Sequence, residues 1–64
     1  MIQPGTLVQH KTYPEELYVV LGRVFPPDKT KKYTRYQTNM LRLLLLGEDN
    51  IIRTSHVTYL EIIQ

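Results

Sequence analysis

Turn-forming residues punctuate this chain at short intervals: Pro4-Gly5, Pro14, Gly22, Pro26-Pro27-Asp28 and Gly47-Glu48-Asp49-Asn50. Proline removes a backbone donor and fixes φ, and glycine adopts conformations other residues avoid, so each mark ends or bends a regular element. The runs between them are rich in Val, Ile, Leu, Tyr and Thr. That spacing argues against long helices and for a meander of short antiparallel strands.

The predicted strands cover residues 6–11, 17–25, 37–46, 51–54 and 60–63. Gly22 falls inside the second, where a bulge or sharp bend is expected. Residues 55–59 read as a tight or 3₁₀ turn before the last strand, capped by Thr54 or Ser55. Helix competes with strand only at Met40-Leu41-Arg42-Leu43-Leu44-Leu45-Leu46. Gly47 would stop such a helix after barely two turns, so strand is favoured. A four-residue loop at 47–50 sets Leu46 opposite Ile51, Leu45 opposite Ile52 and Leu44 opposite Arg53. Leu41, Leu43, Leu45 and Ile52 then form an uncharged core face, and Arg42, Leu44, Leu46, Ile51 and Arg53 face outward.

Size limits what holds such a fold together. The chain has 64 residues and no cysteine, so disulfides and thiolate zinc sites are excluded. A domain of this length buries only about 60% of its unfolded surface. Regular packing or self-association must supply the rest. The chain is read as one domain, residues 1–64, too small for an enzyme with a deep pocket.

Several stretches resemble the small SH3-like barrels: Pro4-Gly5-Thr6-Leu7-Val8-Gln9-His10, Tyr18-Val19-Val20-Leu21-Gly22-Arg23-Val24, and His56-Val57-Thr58-Tyr59-Leu60-Glu61-Ile62-Ile63. The opening is similar to that of small, uncharacterised barrel proteins of phage and bacterial genomes. Gly5-Thr6-Leu7-Val8 and Gly22-Arg23-Val24 are also similar to the KOW element, whose intervening glycine is missing here. The resemblance implies an all-β, SH3-like barrel of about five strands with a 3₁₀ turn before the last. An OB-fold is the alternative barrel. Proline-binding SH3 domains use a tryptophan in their groove, and this chain has none.

Two features stand out as candidate surfaces. Net charge is +2, yet segment 28–36 alone carries +3, from Lys29, Lys31, Lys32 and Arg35 against Asp28. The remainder is therefore close to neutral, at −1. Interleaved with these cations are Tyr33 and Tyr36, so the loop has the residue types that contact phosphates and stack on bases. The second feature is a surplus of apolar residues on the outer face. If Arg23 points outward, Val19, Leu21 and Phe25 do too, and Leu44, Leu46, Ile51 and Ile63 join them. An exposed stripe of that extent marks an interface, most economically with a second copy.

Other chemistry is weaker. His10 and His56 would need a carboxylate such as Glu61 or Asp49 to hold a metal, and none is expected. Ser55 beside His56 has no orienting acid or oxyanion elbow. Glu15 and Glu16 are adjacent on an extended chain and point to opposite faces. Tyr33, Tyr36 and Tyr59 are candidates for one aromatic groove. No catalytic residue, metal or cofactor is expected. The expected function is a non-catalytic interaction module or minor structural subunit that self-associates, with nucleic-acid binding by loop 28–36 as the alternative. The opening residues lack a secretory pattern, and the longest apolar run is too short to span a bilayer. A cytoplasmic location is expected, or a virion-associated one for a phage-encoded chain.

Overall fold

The computed structural model describes residues 2–47 and 49–64. The protein is all-β, with five antiparallel strands in a single sheet and a 3₁₀ turn before the last strand. The strands are β1 (Leu7–His10), β2 (Leu17–Arg23), β3 (Met40–Leu45), β4 (Ile52–His56) and β5 (Leu60–Ile62). They lie in the order β4-β3-β2-β1-β5.

The 3₁₀ turn, Val57–Tyr59, is the whole connection between the two edge strands. In a flat sheet those edges would stand roughly 19 Å apart, four spacings of about 4.8 Å. Four peptide steps from His56 to Leu60 reach at most about 14 Å. The sheet must therefore curl, and its concave side becomes the core. Val8, Tyr18, Val20, Leu41, Leu43, Leu45 and Leu60 are buried there, with Ile2 and Val57 packed against them.

Two features of register differ from the sequence expectation. The β3–β4 ladder pairs Leu44 with Ile52, Leu43 with Arg53 and Arg42 with Thr54. Leu45 N–H donates to Ile51 C=O, leaving a five-residue loop, 46–50, where four residues were expected. Its backbone accommodates the extra residue through left-handed Gly47 and Asn50. Glu48, at the centre of the expected loop, lies outside the described residues. One extra loop residue exchanges the faces of β4. Ile52 is outward and half exposed, while Ile51 sits opposite Leu45 rather than Leu46. Arg53 is on the concave side, at its rim.

The second difference lies in β2. The ladder runs regularly to Val20 opposite Leu43, then shifts, so that Gly22 faces Arg42 and Arg23 faces Leu41. Leu21 is the extra residue. The bulge therefore turns Arg23 to Leu41's side, away from Val19 and the outer face. The bulge at Gly22 agrees with the sequence, and the face on which it leaves Arg23 does not.

Residues 37 and 38, expected in strand three, belong instead to a short helix, α1 (Arg35–Thr38). Thr34 Oγ1 accepts the Gln37 N–H at 3.1 Å, and Gln37 Oε1 accepts the Thr34 N–H at 3.0 Å. This reciprocal capping box holds one helical turn against the strand tendency of its neighbours. The 3₁₀ turn is capped by His56, whose Nδ1 accepts the Thr58 N–H at 3.2 Å, and not by Thr54 or Ser55.

Candidate functional site

The outer face is built by strand alternation. Leu7 is opposite Val19, Val19 opposite Leu44, and Leu44 opposite Ile52. Ile63 N–H donates to Leu7 C=O at 2.9 Å, extending the same row past β5. Ile63, Leu7, Val19, Leu44 and Ile52 thus form one cross-strand apolar row over the full width of the sheet. Leu46 N–H donates to Leu17 C=O, which starts a second, partly apolar row beside it. Val19 and Leu44 are half-buried by their neighbours, and Leu21, Leu46, Ile52 and Ile63 are exposed.

Five of the six residues expected at an interface therefore have positions on this face: Val19, Leu21, Leu44, Leu46 and Ile63. Ile51 belongs opposite Leu45, and Ile52 takes its place in the row. Leu7 and Leu17 were missed, although with Val8 directed inward the alternation of β1 alone puts Leu7 outside. Phe25 is half-buried, its ring 5.3 Å from that of Tyr33.

The basic loop is ordered by small polar contacts. Asp28 Oδ1 accepts both the N–H and the hydroxyl of Thr30 at 2.8 Å. These donors, the backbone one foremost, hold the Asp28 carboxyl below the usual range. Lys29, Lys31, Lys32, Arg35 and Tyr36 are exposed around it. The three candidate groove tyrosines do not stack on one another. Tyr33 packs on Phe25, Tyr36 stacks on His56 at 4.5 Å, and Tyr59 lies parallel to His10 at 6.2 Å.

The concave side ends in a polar cluster. The Tyr18 hydroxyl donates to Glu16 Oε1, and the same oxygen lies 3.7 Å from Arg53 Nη1. Burial, reinforced by Glu16, pushes the Tyr18 phenol up to about 12. His10 and Ser55 border the same small hollow of about 130 Å³. His10 Nδ1 accepts the N–H groups of Thr12 and Tyr13, which commits it to the β1–β2 turn. At the other end, a hollow of about 320 Å³ is lined by Ile2, Arg23, Thr38, Asn39, Leu41 and Val57. No group of three or more His, Cys, Asp or Glu with metal-binding proximity occurs among the described residues. No helix among them is long and apolar enough to cross a membrane.

No family model, curated protein or solved structure matches the chain.

Proposed function

We propose that this protein is a non-catalytic, SH3-like small barrel that acts as an interaction module or minor structural subunit and self-associates. One observation carries the reading: the apolar row crosses β1, β2, β3 and β4 at Leu7, Val19, Leu44 and Ile52 and ends at Ile63, just past β5, on the face opposite the core. Among the described residues, seven are already buried in the core on the concave side. In a lone copy Leu7, Val19 and Leu44 are half-buried, and Ile63 and Ile52 at the ends of the row face water. Burying it gains roughly 25 cal/mol per Å², a gain a 64-residue domain without disulfides needs. Sedimentation velocity at micromolar concentration tests this. A dimer or larger species is expected, and a clean monomer across that range rejects the reading. Leu46→Glu with Ile63→Glu, both at exposed positions, should weaken association while leaving the far-ultraviolet circular dichroism unchanged.

A nucleic-acid-binding role is the second reading, favoured by the exposure of Lys29, Lys31, Lys32 and Arg35 together with Tyr36. Phosphate contacts would make affinity fall steeply with salt. A labelled single-stranded oligonucleotide titrated at two salt concentrations tests it. Lys31→Glu with Lys32→Glu should abolish that binding, and unchanged affinity would exclude the loop.

A further inference from the structure

We propose that β4 pairs with β4 of a second copy, antiparallel and with Thr54 on the two-fold axis, joining two five-stranded sheets into one. The proposal rests on the self-association reading above only in that the chain pairs with itself; it places the contact at the β4 edge, which covers Ile52 and leaves the rest of the outer row open.

Alternate residues of β4 direct their backbone groups away from β3. Leu45 N–H bonds Ile51 C=O, and Val57 N–H bonds Asn39 C=O. In an antiparallel ladder hydrogen-bonded pairs recur every second residue, so Arg53 and Ser55 spend their groups on β3. The N–H and C=O of Ile52 and Thr54 and the N–H of His56 point away from the sheet, while the His56 C=O caps the 3₁₀ turn and accepts the Ser55 hydroxyl at 3.2 Å. β4 is an edge, with no neighbour on that side in the strand order, and Ile52 and Thr54 are exposed. An exposed edge is a template for another strand, and proteins blunt such edges with Pro, Lys, a bulge or an inward-pointing charge. Ile52-Arg53-Thr54-Ser55-His56 has only the last, Arg53, and Glu16 of the same chain lies 3.7 Å from it.

The groups at Ile52, Thr54 and His56 are self-complementary, the His56 C=O serving as a shared acceptor. A two-fold axis at Thr54 sets it against itself and Ile52 against His56 of the second copy, and all three outward residues fall at hydrogen-bonded positions. Arg53 then lies opposite Ser55 of the second copy, so no like charges meet. Tyr36 stacks on His56 at 4.5 Å and is itself 59% exposed. Ile52, 51% exposed, would rest against that aromatic pair of the second copy. The pairing also puts both outer apolar rows on one side of the joined sheet. The other edge is a poorer candidate. β5 has three residues, and its outward positions, Leu60 and Ile62, place the two-fold axis at Glu61, so that carboxylate faces carboxylate.

Cysteine trapping reads the geometry directly, because the chain has no cysteine of its own. A hydrogen-bonded antiparallel pair has Cα atoms about 5.5 Å apart, within disulfide reach. Thr54→Cys in the full chain, under mild oxidation, should form a disulfide-linked dimer at least about tenfold faster than Lys29→Cys on the exposed loop. Equal rates overturn the pairing. Thr54→Pro removes an outward N–H while sparing the β3 ladder, and should sediment as a folded monomer; if it fails to fold, the trapping rates decide alone. A wild-type monomer rejects both this and the self-association reading. A wild-type dimer that Thr54→Cys does not trap rejects the β4 pairing only.

Discussion

Tyr18 is a core residue with a polar end. Its ring is almost wholly buried, and its hydroxyl reaches the rim to donate to Glu16. Ionising it would put a negative charge in an apolar site beside a carboxylate, which is why its titration moves up to about 12. The phenol is raised in the folded state relative to about 10 in the unfolded chain. Its contribution is therefore complete below pH 10 and is lost as pH climbs toward 12, by on the order of 2–3 kcal/mol. Tyr18→Phe should cost about 1 kcal/mol at pH 7, the net worth of the hydrogen bond. It should also flatten the alkaline decline. Urea midpoints of both proteins from pH 7 to 12 measure this, and parallel declines would show that Tyr18 is not the group responsible. Gly22 has a different constraint. Its φ of +154° is one that side-chain-bearing residues rarely adopt, while a Cβ there would meet no atom within 4 Å. The obstacle is backbone strain and not crowding. Gly22→Ala should destabilise by about 1–3 kcal/mol in equilibrium unfolding, and a loss below 0.5 kcal/mol would mean that the bulge relaxes.

Elements were legible where composition and punctuation agreed. Strands Leu17–Arg23 and Met40–Leu45 follow from apolar runs bounded by Pro14, Pro26 and Gly47, and the inward set Leu41, Leu43 and Leu45 follows from simple alternation. The partner of that set was not legible, because register depends on loop parity. Counting four residues between strands instead of five moved Ile52 and Arg53 to the wrong sides. One clue was on the chain: Arg53 on the concave rim meets Glu16, the acid whose neighbour Leu17 opens β2. The outer row was accordingly only partly visible, with Val19, Leu44 and Ile63 anticipated and Leu7 and Ile52 not. The helical turn was missed for another reason. Residues 37 and 38 read as strand by propensity, yet Thr34 and Gln37 have capping-box spacing, and the local hydrogen bonds prevail. Thr34→Ala should cost about 1 kcal/mol, confined to this turn. Amide exchange at Gln37 and Thr38 should accelerate while the sheet stays protected. Unchanged exchange would mean that packing, not the cap, holds α1.

At the scale of the whole molecule, charge and apolar surface are segregated. Positive charge gathers in loop 28–36, while the sheet is nearly neutral and has apolar side chains on both faces. A lone copy of 64 residues must hold its curl with a small core, seven buried residues among those described, and no covalent cross-link. If a second copy covers part of the outer surface, stability and association become one equilibrium. Two folded chains then unfold to two separate ones, and mass action links the midpoint to protein concentration. Each tenfold dilution should lower the apparent unfolding free energy by about 1.4 kcal/mol. That is a large share of what a domain this small can have. The melting temperature should therefore fall visibly between samples a hundredfold apart in concentration, and the Leu46→Glu, Ile63→Glu protein should lose that dependence. A wild-type melting temperature independent of concentration would mean that the curled sheet stands alone, its outer row serving some partner other than itself.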